Sequence, residues 1–305
     1  MTLYRGMDRA ALDAAYNNSL IIGVAKREAF LADWQRRSEA LHGKIAHAQY
    51  DLRYGPAPRQ RLDWYPAPGR GAPTLLYIHG GYWQGGDKVS YEFLAPAMNA
   101  RGLNLVNIEY TLGPDARMSA IVDEIRAGVA WMIDNLPRLG GDPRHLYVSG
   151  HSAGGHLTAM AMSDRRVAGG LAISGLFDLE PIRLCALNDK LGMDAGEAAR
   201  NSPLLHLPDA ASKLVVTVGG DERPELQRQS REYYAAWTGR GLPGEWLDLP
   251  GHDHFSLIDE LASPDGRLCK AVAALAAAVA ALVGHWTLRS VLRQNVTQTL
   301  RQSDA

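Results

Sequence analysis

The chain reads as a single α/β domain, a mostly parallel central sheet with helices on both faces. Two observations predict it. From Tyr65 onward, short β-branched or aliphatic runs alternate with longer segments of helical spacing, the pattern of successive βα units. The size and composition agree: 305 residues with 46% apolar and 21% charged side chains can bury roughly three quarters of the unfolded surface without a disulfide or metal staple.

The elements follow in order. Gln49 to Tyr54 and Gln60 to Tyr65 alternate polar and apolar residues across Gly55-Pro56-Ala57-Pro58, as an antiparallel hairpin at a sheet edge does. Thr74 to Ile78, Leu103 to Ile108, His145 to Ser149, Gly170 to Ile173 and Lys213 to Val218 are short runs rich in apolar residues, the mark of strands covered on both faces. Glu245 to Leu249 makes a last, shorter strand. Met118 to Leu136 sets Ile121, Val122, Ile125, Val129, Met132 and Leu136 on one stripe with charges opposite, so this helix covers one sheet face. Ala271 to Val283, 13 apolar residues and mostly alanine, is short of the ~20 needed to span a bilayer and reads as a packed helix.

Charge narrows the function. With 32 basic against 33 acidic side chains and a net charge of −1, the chain lacks the broad field that nucleic acid or anionic lipid requires. The expected partner is a small molecule, with no nucleic acid and no membrane; a homodimer is kept as one option for the assembly. Cys185 and Cys269 form no CxxC pair and read as reduced thiols. Met1 to Ala10 carries Arg5, Asp8 and Arg9 where an export signal needs an apolar core, so a cytoplasmic location is expected.

Open α/β sheets bind ligands beyond the carboxyl ends of their strands, and there the informative residues fall. Gly150-His151-Ser152-Ala153-Gly154-Gly155 follows a strand and opens a helix. G-x-S-x-G in that context is a nucleophile turn: the central residue is held strained so that its hydroxyl stands clear, and the helix start favours developing negative charge. Ser152 is therefore the expected nucleophile. After Thr74 to Ile78 comes His79-Gly80-Gly81-Tyr82-Trp83. The backbone N–H groups of Gly81, Tyr82 and Ala153 are the expected oxyanion hole, each donor worth ~3 kcal/mol of transition-state stabilisation. His79 is read as an organiser of that loop, and Tyr82 and Trp83 as aromatic walls of the substrate pocket.

An acid and a histidine should follow the serine, in that order. Gly219-Gly220-Asp221-Glu222 follows one strand, and Pro250-Gly251-His252-Asp253-His254-Phe255 follows the next. Asp221 is preferred as the acid that accepts from the histidine Nδ1, with Glu222 expected to point elsewhere and Asp178 as the rival one strand earlier. His254 is preferred to His252 as the base. The His252-x-His254 pair has no second cluster with ligand-like spacing, so neither a metal nor a cofactor is expected. His151 and His156 read as packed or capping residues.

This constellation resembles the α/β-hydrolases, and within them the arylformamidase (kynurenine formamidase) group. The motif carriers are His79-Gly80-Gly81-Tyr82-Trp83, similar to an HGGxW motif, and Gly150 to His156. Tyr4-Arg5-Gly6-Met7, Leu12 to Asn18, Asn188 to Gly192 through Ser202-Pro203-Leu204, and Asp253-His254-Phe255 extend the similarity to about Leu261. The resemblance implies an α/β-hydrolase fold with a partial helical cap: one domain over residues 1–284, with 1–48 and 176–207 as cap segments and 285–305 as a tail without family features. It also implies hydrolysis of N-formyl-L-kynurenine to L-kynurenine and formate through a formyl-enzyme. A short-chain carboxylesterase would share every catalytic residue, and a receptor on the same fold would not need them intact.

Overall fold

The computed structural model describes residues 2–277, so the expected tail at 285–305 and the end of the alanine-rich run lie outside the described residues. Eight strands form one sheet: β1 (Gln49–Arg53), β2 (Arg61–Tyr65), β3 (Ala72–Ile78), β4 (Asn104–Ile108), β5 (Gly141–His151), β6 (Gly169–Ile173), β7 (Leu214–Gly219) and β8 (Gly244–Leu249). Their spatial order is β1-β2-β4-β3-β5-β6-β7-β8. The first two run antiparallel to their neighbours, and β3 to β8 are parallel. The hairpin and the βα units stand where the residue patterns put them.

Both sheet faces are buried, which is why the central strands alternate nothing with water. Leu76, Ile78, Val106, Ile108 and Val148 face one core, shared with Ile121, Val122, Ile125, Val129 and Met132 of the long helix Met118–Leu139. Leu75, Tyr77, Leu105 and Tyr147 face a second core with Phe93, Met98 and Leu261. Strand order reverses at β3, whose neighbours β4 and β5 lie on either side. Such a switch point opens a crevice beyond the strand ends. Here it sets the segment after β3 beside the segment after β5, with Ile78 registered opposite Gly150.

Two segments cover that crevice. Helices α1 (Arg9–Ala15), α2 (Ser19–Ile22) and α3 (Val24–Leu41) precede the sheet. Leu12, Tyr16 and Trp34 are their buried anchors, and Tyr16 Oη both donates to Glu225 Oε2 (2.8 Å) and accepts from Gln229 Nε2 (2.8 Å). Between β6 and β7 come the short helices Glu180–Arg183, Asn188–Leu191 and Ala195–Arg200, and Cys185, Ala186, Leu187, Asp189 and Lys190 of this stretch border the crevice. Gln84 Nε2 donates to Leu187 O at 2.6 Å, and Ala186 N to Asp13 Oδ1 at 2.6 Å, tying this cover to the loop after β3 and to α1. Among the described residues no helix is long and apolar enough to cross a membrane.

Candidate active site

Ser152 is the single residue between β5 and the helix Ala153–Ala161, and its φ of 59° and ψ of −117° are strained for a side-chain-bearing residue. The strain is imposed by crowding. A Cβ on Gly154 would lie 1.9 Å from Ile78 O, so only glycine lets the helix start against the end of β3. Ser152 N donates to Ile173 O (2.9 Å), fixing the turn from the other side.

The loop after β3 is equally constrained. Gly81 has φ +119°, and a Cβ there would meet Gly85 O at 2.1 Å; its own carbonyl accepts from Gln84 N and Gly85 N at 3.0 and 3.1 Å. Tyr82 and Trp83 also have positive φ, 51° and 57°. Among the described residues the N–H groups of Gly81, Tyr82 and Ala153 make no hydrogen bond. His79 holds the loop from beneath: it stacks on Tyr110 (4.4 Å between centroids, 13°), its Nδ1 faces Gly80 O at 2.8 Å, and its Nε2 faces Glu109 Oε1 at 2.9 Å. Burial alone would raise the Glu109 pKa, but His79, Arg59 and the Tyr110 N–H hold it down at about 2.

Trp83 departs from expectation. It is fully buried and lies outside the cavity lining, its ring set edge-on to Tyr82 (6.4 Å between centroids) and its Nε1 donating to His156 Nδ1 (3.2 Å). His156 Nε2 in turn donates to Asn201 O (2.7 Å). The tryptophan is a tie between the glycine loop, the nucleophile helix and the cover. Burial pushes His156 down to a pKa of about 4, as suits a neutral ring with one donating and one accepting nitrogen.

The acid also departs from expectation. His254 Nδ1 lies 2.6 Å from Glu222 Oε2, whereas Asp221 is exposed. The reason is local geometry. The chain leaves β7 in a tight turn closed by Glu222 N donating to Gly219 O (3.2 Å) and Asp221 N donating to His252 O (3.1 Å). It is thus Glu222 that folds back over the strand end, and its extra methylene carries the carboxylate to the ring. Glu222 Oε1 is held by Gly219 N (2.8 Å) and the Ser174 hydroxyl, so both carboxylate oxygens are committed. Asp178 serves elsewhere, accepting from Tyr4 Oη (2.5 Å) and Glu180 N (3.0 Å).

His254 is positioned by its predecessor. Asp253 Oδ1 accepts from Phe255 N and Ser256 N, both 2.9 Å, and Oδ2 pairs with Lys26 of α3 at 3.1 Å. Burial opposes ionisation of Asp253, and these donors more than offset it, lowering its pKa. His252 sits near Glu260 (3.5 Å) instead. His151, next to the serine, packs 4.4 Å from the His254 ring, and burial pushes its pKa well down. Ser152 and His254 line one cavity of about 900 Å³, with Gly80, Gly81 and Tyr82 on its floor. Trp34, Tyr91 and Phe255 add aromatic wall; only Tyr82 among these was legible as a wall residue, since the others come from distant segments. Among the described residues no cluster of three or more His, Cys, Asp or Glu could hold a metal.

Known proteins resemble this chain in sequence and in fold. The BD-FAE family model matches residues 62–170. Kynurenine formamidase of Danio rerio is 34% identical over 241 residues, 74% of this chain and 81% of that protein; the Salmo salar kynurenine formamidase is 32% identical, over 73% and 80%. A solved structure described as a putative thioesterase from Silicibacter sp. superposes with a TM-score of 0.77 at 29% identity, covering 86% of this chain and 98% of that one. With the parallel sheet, the strained serine and the glycine loop in place, the chain belongs to the kynurenine formamidase family and is a hydrolase of the α/β-hydrolase fold.

Proposed function

We propose that this enzyme hydrolyses N-formyl-L-kynurenine to L-kynurenine and formate, with Ser152, Glu222 and His254 as its triad. The observation that carries the reading is the cavity itself, where Ser152 and His254 share one space with the aromatic side chains Trp34, Tyr82, Tyr91 and Phe255. A flat aryl formamide fits such walls, and its nitrogen is a better leaving group than an alkyl amine because the ring accepts electron density.

The chemistry follows from the groups in place. Ser152 Oγ attacks the formyl carbon while His254 Nε2 takes its proton. Glu222, fixed at both oxygens, keeps the other ring nitrogen protonated and stabilises the imidazolium that forms. The oxyanion settles on the N–H groups of Gly81, Tyr82 and Ala153. His254 then returns the proton to the departing aryl nitrogen, releasing kynurenine and leaving a formyl ester on Ser152. Water, deprotonated by His254, attacks that ester and formate leaves. The two cysteines, unpaired and buried, accord with a cytoplasmic setting.

The test compares kcat/KM for N-formylkynurenine with that for p-nitrophenyl acetate. The formamide should be the better substrate, and Ser152→Ala should remove both activities by at least ~10⁴-fold. An ester preferred by orders of magnitude would make the enzyme a carboxylesterase.

A further inference from the structure

We infer that the amino-terminal helices carry a subsite for the α-amino-acid group of the substrate, with Arg27 binding its carboxylate and Asn18 Oδ1 accepting from its ammonium. The inference rests on the formamidase reading above and names the residues that would make the enzyme select an amino-acid-bearing formamide over a simple one.

Two independent features point to it. Arg27 is partly buried in the cavity wall, yet its guanidinium makes no hydrogen bond or ion pair among the described residues, whereas the neighbouring cation Lys26 is paired with Asp253. A cation on the cavity wall with no partner among the described residues is available to an incoming anion, and the guanidinium fork suits a carboxylate. Asn18 is 7% exposed and lines the same cavity. Its amide orientation is set by a chain of bonds: the Tyr82 hydroxyl spends its proton on Tyr16 O, so it can only accept from Asn18 Nδ2 (3.3 Å). Among the described residues Asn18 Oδ1 is thereby left without a partner, a buried acceptor whose desolvation no described group offsets.

The layout matches the polarity of the substrate. Arg27, Leu31 and Trp34 follow at i, i+4 and i+7 on α3, and all three line the cavity, so they share one helix face. Trp34 stands 6.3 Å, ring to ring, from Phe255, the residue after His254. Arg27 lies seven residues back along the helix, roughly 10 Å away. The face is aromatic at Trp34 and cationic at Arg27, and both line the cavity that holds His254. N-formylkynurenine has its aryl formamide at one end and its charged amino-acid group at the other. Lys190 also lines the cavity but is exposed, and a solvated ammonium is the weaker carboxylate ligand.

The experiment measures kcat and KM for N-formylkynurenine and for formanilide, which lacks the amino-acid group, in the intact enzyme and in Arg27→Met and Arg27→Lys. The wild type should favour N-formylkynurenine. Arg27→Met should lower that preference about 10- to 100-fold, the worth of one hydrogen-bonded charge pair, mainly through KM. Arg27→Lys should recover part of it. Equal losses on both substrates, or no change in the ratio, would overturn the subsite while leaving the formamidase reading intact. A wild type indifferent to the amino-acid group would instead overturn the formamidase reading and the subsite with it.

Discussion

The floor of the cavity and its roof are built by different physics. On the floor, at the strand ends, the decisive contacts are short and buried: His254 to Glu222 at 2.6 Å, His79 to Glu109 at 2.9 Å, Trp83 to His156 at 3.2 Å. Each sits between segments whose backbone the sheet already holds. The roof is tied down by ion pairs open to water, such as Arg9 with Asp189, whose side chains are 54% and 66% exposed, and Arg5 with Glu232, at 50% and 33%. Pairs of that kind contribute ~0–1 kcal/mol each, and the roof relies on a few anchors such as Leu12, Tyr16 and Trp34 for the rest. The difference assigns labour. On the proposed mechanism the floor fixes the reacting atoms, while the roof supplies wall residues whose identity can change without disturbing the proposed triad.

The sharpest way to break this division is at the acid. Glu222→Gln keeps the size and most of the bonds but leaves no anion to hold the His254 tautomer, so kcat should fall by about 10³-fold or more. Asp221→Asn, on an exposed neighbour, should keep kcat within about twofold. Steady-state assays of both variants on one substrate decide it. The opposite ranking would restore Asp221 as the acid.

That pair of residues also shows what a sequence can and cannot disclose. The strained turn at Ser152 and the constrained glycine loop are legible in the sequence because small residues and strand context are local to Gly150–Gly155 and His79–Trp83. The carboxylate beside His254 is Glu222 and not the expected Asp221, because a strand end specifies where a side chain emerges only after the turn type is known, and the turn at Gly219 brings the fourth residue back. Trp83 lies in the core and not in the expected cavity wall because its partner, His156, is far along the chain and invisible from the loop's own sequence. Arg27, Trp34 and Tyr91 reach the cavity through tertiary packing alone. Nothing in the helical pattern of residues 24–41 separates a wall residue from a surface one.

A second, smaller effect concerns how the floor responds to acid. His156 has a pKa of about 4 in the fold, set by burial, against 6.5 when unfolded. The unfolded chain therefore binds more protons between those values, so stability is fully present above about pH 6.5 and is lost as pH falls toward 4. The loss for this residue approaches about 3 kcal/mol, and buried His151 adds to it in the same direction. Glu109, held at about 2 from an ordinary 4.5, contributes its own loss only below about pH 4.5. Urea unfolding followed across the window should show stability rising with pH, and the slope should flatten in His156→Gln. A flat wild-type profile would mean that His156 is not the neutral link between Trp83 and Asn201.

The smallest effect tests whether roof and floor are coupled at all. Lys26 of α3 reaches Asp253, and Asp253 sets the turn that presents His254. The lysine side chain is 56% exposed and the aspartate 10%, so solvent screens most of the attraction and the pair contributes about 0.5 kcal/mol. Asp253 keeps its two backbone donors when the lysine is gone, and its own N–H still donates to Ser256 Oγ (3.0 Å), so the turn retains its bonds. Lys26→Ala should therefore lower the thermal midpoint by only about 1–2 °C and leave kcat within about twofold. A fall in kcat of tenfold or more with the same small change in midpoint would show that α3 steers the histidine through Asp253, and the roof would then belong to the catalytic machinery as well as to the binding wall.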